Sequence, residues 1–132
     1  MAIAKKIAIG IFALIILAGA FLPEITRFMA RSAFKKGNVE KSWAPNLAFT
    51  SARINMRFFR YKVAAIIFKK GIQTFPKSEE APDAMFHMAQ CYSKGGDPKT
   101  AQKVYEAFIE KYPKHRWRDS AEKRVEYIKA NH

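Results

Sequence analysis

The chain has 132 residues, 49% of them hydrophobic, with 24 Lys/Arg against 11 Asp/Glu and a formal net charge of +13. This length and composition allow one small folded domain plus a short additional segment and exclude a disordered chain, and the charge calls for an anionic partner such as lipid headgroups, nucleic acid or an acidic protein surface. Cys91 is the only cysteine, which excludes an intrachain disulfide and a cysteine-cluster zinc site.

The first element is the run Ile7–Leu22, IAIGIFALIILAGAFL, with no charged residue. As a helix it is about 24 Å long, slightly under the ~30 Å of a hydrocarbon core. Ala2, Ile3 and Ala4 extend it if Lys5 and Lys6 snorkel to the interface. Two readings compete: a retained transmembrane helix, and a signal peptide cleaved after Ala18-Gly19-Ala20. Retention, with residues 1–23 as the anchor, is the expectation. The flanks conflict on sidedness. Arg27, Arg31, Lys35 and Lys36 after the run favour a cytoplasmic domain by positive-inside bias. Lys5 and Lys6 immediately before it resemble the start of an exported signal-anchor.

Residues 24–45 form a basic connector. From Glu24 to Lys36 the spacing is helical, with Ile25, Phe28, Met29 and Ala33 on one face. Pro23 predicts a bend or restart, and Gly37-Asn38 a stop. Such a helix either lies on the membrane, with Lys5, Lys6, Arg27, Arg31, Lys35 and Lys36 touching headgroups, or packs its apolar face on the domain. From Pro23 to Phe75 there are 11 Lys/Arg against Glu24 and Glu40 alone, whereas from Pro76 to His132 there are 11 against 9 acids. The positive excess therefore adjoins the apolar run, where it suits anionic lipid. Asn38–Pro45 is expected to be a loop.

Residues 46–132 contain an internal repeat. FRYKVAAIIFKKGIQTFPKS (59–78) and GDPKTAQKVYEAFIEKYPKH (96–115) align at an offset of 37. Lys62 meets Lys99, Ala64 meets Ala101, Phe68 meets Tyr105, Ile72 meets Ile109 and Pro76 meets Pro113. Upstream, Ala52 meets Ala89. Small residues recur where helices must approach closely, aromatics where a core is needed, and prolines where a helix must end. The pattern predicts helices near 47–58, 62–74, 80–94, 98–111 and 119–130. Asp97-Pro98 reads as an N-cap and first position, and Asp119 with Glu122 as a capping box.

At Ala89, Tyr92, Ala101, Tyr105 and Pro113 the chain resembles the tetratricopeptide repeat family, in which a small residue, tyrosine, alanine, an aromatic and proline follow in this order. The stretch 76–115 is similar to the periplasmic tetratricopeptide domains of the outer-membrane assembly lipoprotein and the Tol-associated cell-division coordinator. The first copy departs from the pattern, with Asn55 at the tyrosine position and Gly71 where the second has Phe108. The resemblance implies an all-α fold: a transmembrane helix followed by about two helical hairpins stacked as a short solenoid, with a C-terminal capping helix. It also implies a partner-binding groove on the first helix of each pair. Carried over by position, that groove comprises Phe49, Arg53, Met56 and Arg57, then Asp83, Phe86, Gln90, Ser93 and Lys94. Its arginines and lysine suit an acidic or carboxylate-terminated segment of another membrane or envelope subunit. The resemblance further implies the inner membrane of a bacterium and a periplasmic domain. Self-association is compatible with such an array.

No constellation supports catalysis, a cofactor or a metal. His87 and Cys91 share a helix face, but no third ligand is near in sequence, and packing is the expected role. P-loop, dinucleotide-binding and nucleophile-elbow motifs are absent. Arg53, Arg57, Phe58, Phe59, Arg60 and Tyr61 form a basic-aromatic cluster of the kind that stacks on single-stranded nucleic acid. The helices need those aromatics for their core, which makes nucleic acid the weaker expectation.

Overall fold

The computed structural model describes residues 1–132. It contains six α-helices and no strand: α1 (Ala2–Phe34), α2 (Ala44–Arg57), α3 (Tyr61–Thr74), α4 (Ala81–Lys94), α5 (Pro98–Lys111) and α6 (Arg118–Asn131). Each helix packs on the next in sequence. Ala44, Ala81 and Arg118 open α2, α4 and α6, and Arg57, Lys94 and Asn131 close them, at steps of 37 residues. Helices α3 and α5 keep the same step. The 37-residue offset therefore governs the whole domain, and α6 stands in the phase of a first helix.

The core lies in three successive layers. Ala33 of α1 meets Ala44, Ala48 and Phe75. Phe49, Ala52, Ala64, Phe68, Ala84 and Cys91 join α2, α3 and α4. Phe86, Ala89, Ala101, Tyr105, Phe108, Ala121, Val125 and Ile128 join α4, α5 and α6. The four alanines that recur in the repeat, at 52, 64, 89 and 101, are all fully buried. They let helix axes approach, while each buried phenylalanine contributes about 1.5–3 kcal/mol of transfer free energy.

Several local expectations are corrected. Helix α1 does not break at Pro23 but runs through it. Proline withholds one bond, that to the Gly19 carbonyl. The second half of the helix is held by tertiary packing, which outweighs that loss. Thr26 and Ala33 are buried against α2, and the Ser51 hydroxyl donates to the Thr26 carbonyl at 2.8 Å. The packed face is thus Thr26, Met29, Ala30 and Ala33, whereas Ile25 and Phe28, expected on it, are exposed. Residues 24–34 therefore form part of the packed domain as well as of the long apolar helix.

The stop comes at Lys35, whose backbone is extended, not at Gly37-Asn38. Asn38 contributes by donating its amide to the Ser32 carbonyl at 2.8 Å. Helix α2 starts three residues earlier than expected, because Pro45 sits in its first turn, where no intrahelical N–H is needed. The Asp119 capping box does not form. Helix α6 opens after Trp117, and Glu122 accepts from Arg118 at 2.7 Å instead. Asp97 does cap α5, accepting from the Thr100 amide at 3.1 Å. Phe58 and Phe59, expected in the core, are exposed on the turn between α2 and α3.

The divergence of the first copy at Gly71 has a steric reason. A Cβ on Gly71 would lie 2.6 Å from Cε1 of the fully buried Phe49 ring. In the second copy the equivalent Phe86 instead packs edge-on against Phe108, with ring centroids 5.6 Å apart. One aromatic on a glycine and two aromatics side by side are alternative fillings of the same layer. Gly71→Ala gains about 0.5–1 kcal/mol of helix propensity but overpacks the layer at about 1–3 kcal/mol. We expect a net loss, up to about 2.5 kcal/mol, in chemical denaturation.

Hydrogen bonding from Thr100, with a contribution from the Lys103 charge, holds the Asp97 carboxyl below its ordinary value. A depressed folded pKa means that the cap stabilises above the unfolded value, about 3.9, and is lost as pH falls through the folded one. Asp97→Asn keeps an N-cap without titrating. Its stability should fall less than that of the parent chain as acid titrates this cap. Asp97→Ala should be less stable at neutral pH. Thermal melts across pH check both.

Candidate functional site

The stripe formed by every first helix carries the candidate site. On α2 it reads Asn46, Thr50, Arg53 and Arg57; on α4 Asp83, His87, Gln90 and Lys94; on α6 Ser120, Arg124, Tyr127 and Asn131. These sets are related by the same 37-residue step and follow the i, i+4, i+7, i+11 positions of a helix face.

Between α4 and α6 this face sinks into a depression of about 480 Å³ lined by Phe86, His87, Gln90, Trp117, Ser120, Lys123 and Arg124. Aromatic packing fixes its floor. Trp117 lies 4.9 Å from Phe86 and 5.3 Å from His87 between ring centroids. His87 also stacks on Phe68 at 6.0 Å. Its Nδ1 is 3.0 Å from Gln90 Oε1, a contact that requires the proton on Nδ1. Lys123 and Arg124 supply positive charge at the rim.

The expected groove residues divide into distinct environments. Phe49 is fully buried and Phe86 nearly so. Phe49 is closed under Gly71 and Phe75, and offers a partner no surface. Phe86 shows only an edge to the depression. Met56 is half-buried beside the α2–α3–α4 layer. Both Phe86 and Ser93 stand one position off the stripe, so that the carry-over mixed two neighbouring faces. Arg53 is already engaged, donating to Glu80 at 2.8 Å and to Thr50 at 2.9 Å. Asp83 is held by His115 at 2.9 Å and Arg116 at 3.2 Å. Arg57 and Lys94 are exposed, and Gln90 joins the depression. The residues that position alone missed are His87, Trp117, Ser120, Lys123 and Arg124. Extending the 37-residue offset from α4 into α6 would have pointed to Ser120, Lys123 and Arg124.

Among the membrane-surface candidates, Arg27 pairs with Glu24 at 3.0 Å, and Lys5, Lys6, Arg31, Lys35 and Lys36 are exposed. Because α1 is continuous, Lys35 lies about 20 Å along the helix axis beyond Leu22, well past a Debye length of ~8 Å. Residues 24–34 continue α1 rather than forming a separate connector helix.

No third His, Cys, Asp or Glu side chain converges with His87 and Cys91. Cys91 is buried, and burial pushes its thiol up to about 12, far from a reactive thiolate. Tyr105, at the centre of the second hairpin, is likewise pushed up to about 12 by burial.

Helix α1 is long and apolar enough to cross a membrane, and no residue of its apolar window is buried. A signal sequence near an N-terminus meets the same criterion. No curated protein matches the chain. A family model described as tetratricopeptide repeat matches residues 83–115. That span runs from the third residue of α4, through Ala89, Tyr92, Ala101, Tyr105 and Pro113, to the loop after α5, so the similarity covers the α4–α5 hairpin.

Proposed function

We propose that this protein is a single-pass, membrane-anchored interaction scaffold whose α2, α4 and α6 stripe receives an acidic segment of a partner subunit. Tetratricopeptide repeats are typically non-catalytic protein-interaction units. The observation that carries the finer reading is the charge of the stripe. Arg57, Lys94 and Arg124 are exposed, with Lys123 at the rim, while the one acid of the stripe, Asp83, is already taken by His115 and Arg116. Charge-assisted bonds from those cations suit a carboxylate-bearing peptide, and the Trp117–His87 floor suits an apolar or aromatic side chain beside it. We read the chain as an accessory subunit of a larger membrane complex; an assembly factor would use the same surface.

The test uses the full chain in non-ionic detergent against a library of acidic peptides. Arg57→Glu, Lys94→Glu and Arg124→Glu together should reduce capture at least tenfold, about 1.4 kcal/mol, with circular dichroism unchanged. Arg53→Glu is avoided because it would also break the Glu80 pair. Undiminished capture by the triple variant rejects the stripe as the site. Substoichiometric recovery of a partner from native membranes favours the assembly factor.

We further propose that the domain faces outward from a bacterial inner membrane. The Lys5-Lys6 start and the resemblance of 76–115 to periplasmic members support this. Lys114→Cys, in an exposed loop, should react with a membrane-impermeant thiol reagent in intact spheroplasts. Reaction only after lysis would place the domain in the cytoplasm.

A further inference from the structure

The turn between α2 and α3 has an unusual conformation. Phe59 has φ 62°, the left-handed region, which a bulky side chain enters only at a cost and which the second hairpin assigns to Gly96 at φ 90°. Phe59 is nevertheless 79% exposed and its neighbour Phe58 54% exposed. The Phe59 ring meets Tyr61 edge-on at 6.2 Å but stays outside the core, and chain reversal does not call for phenylalanine, since glycine serves the same turn one repeat later. Strain kept at an exposed aromatic points to a function at that spot.

The position of the turn indicates which function. Helices α1 and α2 are antiparallel: Ala33 packs with Ala44 and Ala48 at one end, and Ser51 bonds Thr26 at the other. From Ser51, the rise to Phe58 is about 10 Å, and from Thr26 back to Leu22 about 6 Å in the same direction. The two phenylalanines therefore stand level with the last turn of the apolar run. Arg57 and Lys62 flank them and are exposed. Arg60 lines a groove between α1 and α3 of about 310 Å³ with Pro23, Arg27, Arg31, Val63 and Ile66. The buried Nη1 of Arg60 has no hydrogen-bond partner.

We propose that this turn is a second membrane contact. Phe58 and Phe59 enter the interfacial zone of the bilayer that α1 crosses, and Arg60 and Lys62 meet the phosphates of anionic headgroups. An apolar tip ringed by cations is the chemistry of an interfacial anchor. The nearby cations come from the α2–α3 turn and α3 rather than from Lys35 and Lys36, at the far end of α1. This inference rests on reading α1 as a membrane span.

The full chain is reconstituted into vesicles of phosphatidylcholine and phosphatidylglycerol, with a nitroxide on one introduced cysteine at a time. Cys91 is buried and stays unlabelled. Labels at Phe58→Cys and Phe59→Cys should collide more with oxygen than with a water-soluble nickel chelate, and should become shallower in pure phosphatidylcholine. A label at Lys77→Cys, on a loop at the opposite end of the hairpins, should remain aqueous. If α1 resists alkaline extraction but both turn labels are aqueous, the turn contact is wrong and the anchor stands. If alkali strips the chain from vesicles, the anchor reading fails and takes the contact with it. Equal depth in pure phosphatidylcholine overturns the headgroup assignment. Immobilisation of the turn labels by a single-stranded oligonucleotide or a second copy of the chain, without insertion, overturns the proposal.

Discussion

The hydrogen bond from the Ser51 hydroxyl to the Thr26 carbonyl, 2.8 Å long and buried, fixes how the apolar helix meets the repeat. Around it Thr26 and Ala33 lie against α2, so that the second half of α1 fills the place that a second helix would take before α2. The stack therefore reads as alternating helices from α1 to α6, without a bare apolar end at its start. At the far end, α6 buries Ala121, Val125 and Ile128 and turns a largely charged face outward. Two hairpins alone are short of the three or so repeats that bury a continuous core. The two outer helices supply the remainder.

Packing sets the surface chemistry as well. Phe49 and Phe86 are drawn inward because each layer needs an aromatic, and Gly71 or Phe108 adjusts the space behind it. The stripe left outside is therefore polar and cationic. Glu80 pairs with Arg53, and Asp83 pairs with Arg116 and hydrogen-bonds the His115 ring, which leaves Arg57, Lys94, Lys123 and Arg124 as the charges a partner would meet.

The elements of the domain were legible because its signals are local and periodic. Alanines at 52, 64, 89 and 101, proline after each second helix, and Asp97-Pro98 are short-range features, and they located α3, α4 and α5 within about a residue. What was not legible depends on tertiary packing. Pro23 reads as a break, but the seat of α1 on α2 carries the helix across it. Asp119 reads as a cap, but Trp117, drawn towards Phe86 and His87, starts α6 earlier. Phe58 and Phe59 read as core in a linear pattern, because nothing local shows that the turn holds them outside. For the candidate site, periodicity placed residues on α2 and α4, but choosing between two adjacent stripes required knowing which one faces inward.

If α1 is the membrane span proposed above, its continuity through Pro23 has a mechanical consequence. Thirty-three residues of uninterrupted helix form a rod of about 50 Å, part in lipid and part in the domain. Membrane spans tilt to match bilayer thickness, and a rod without a joint passes that tilt on undiminished. A thicker or thinner membrane would thus swing the cationic stripe through the same angle as the span. The lipid around the protein becomes a setting that aims its binding face.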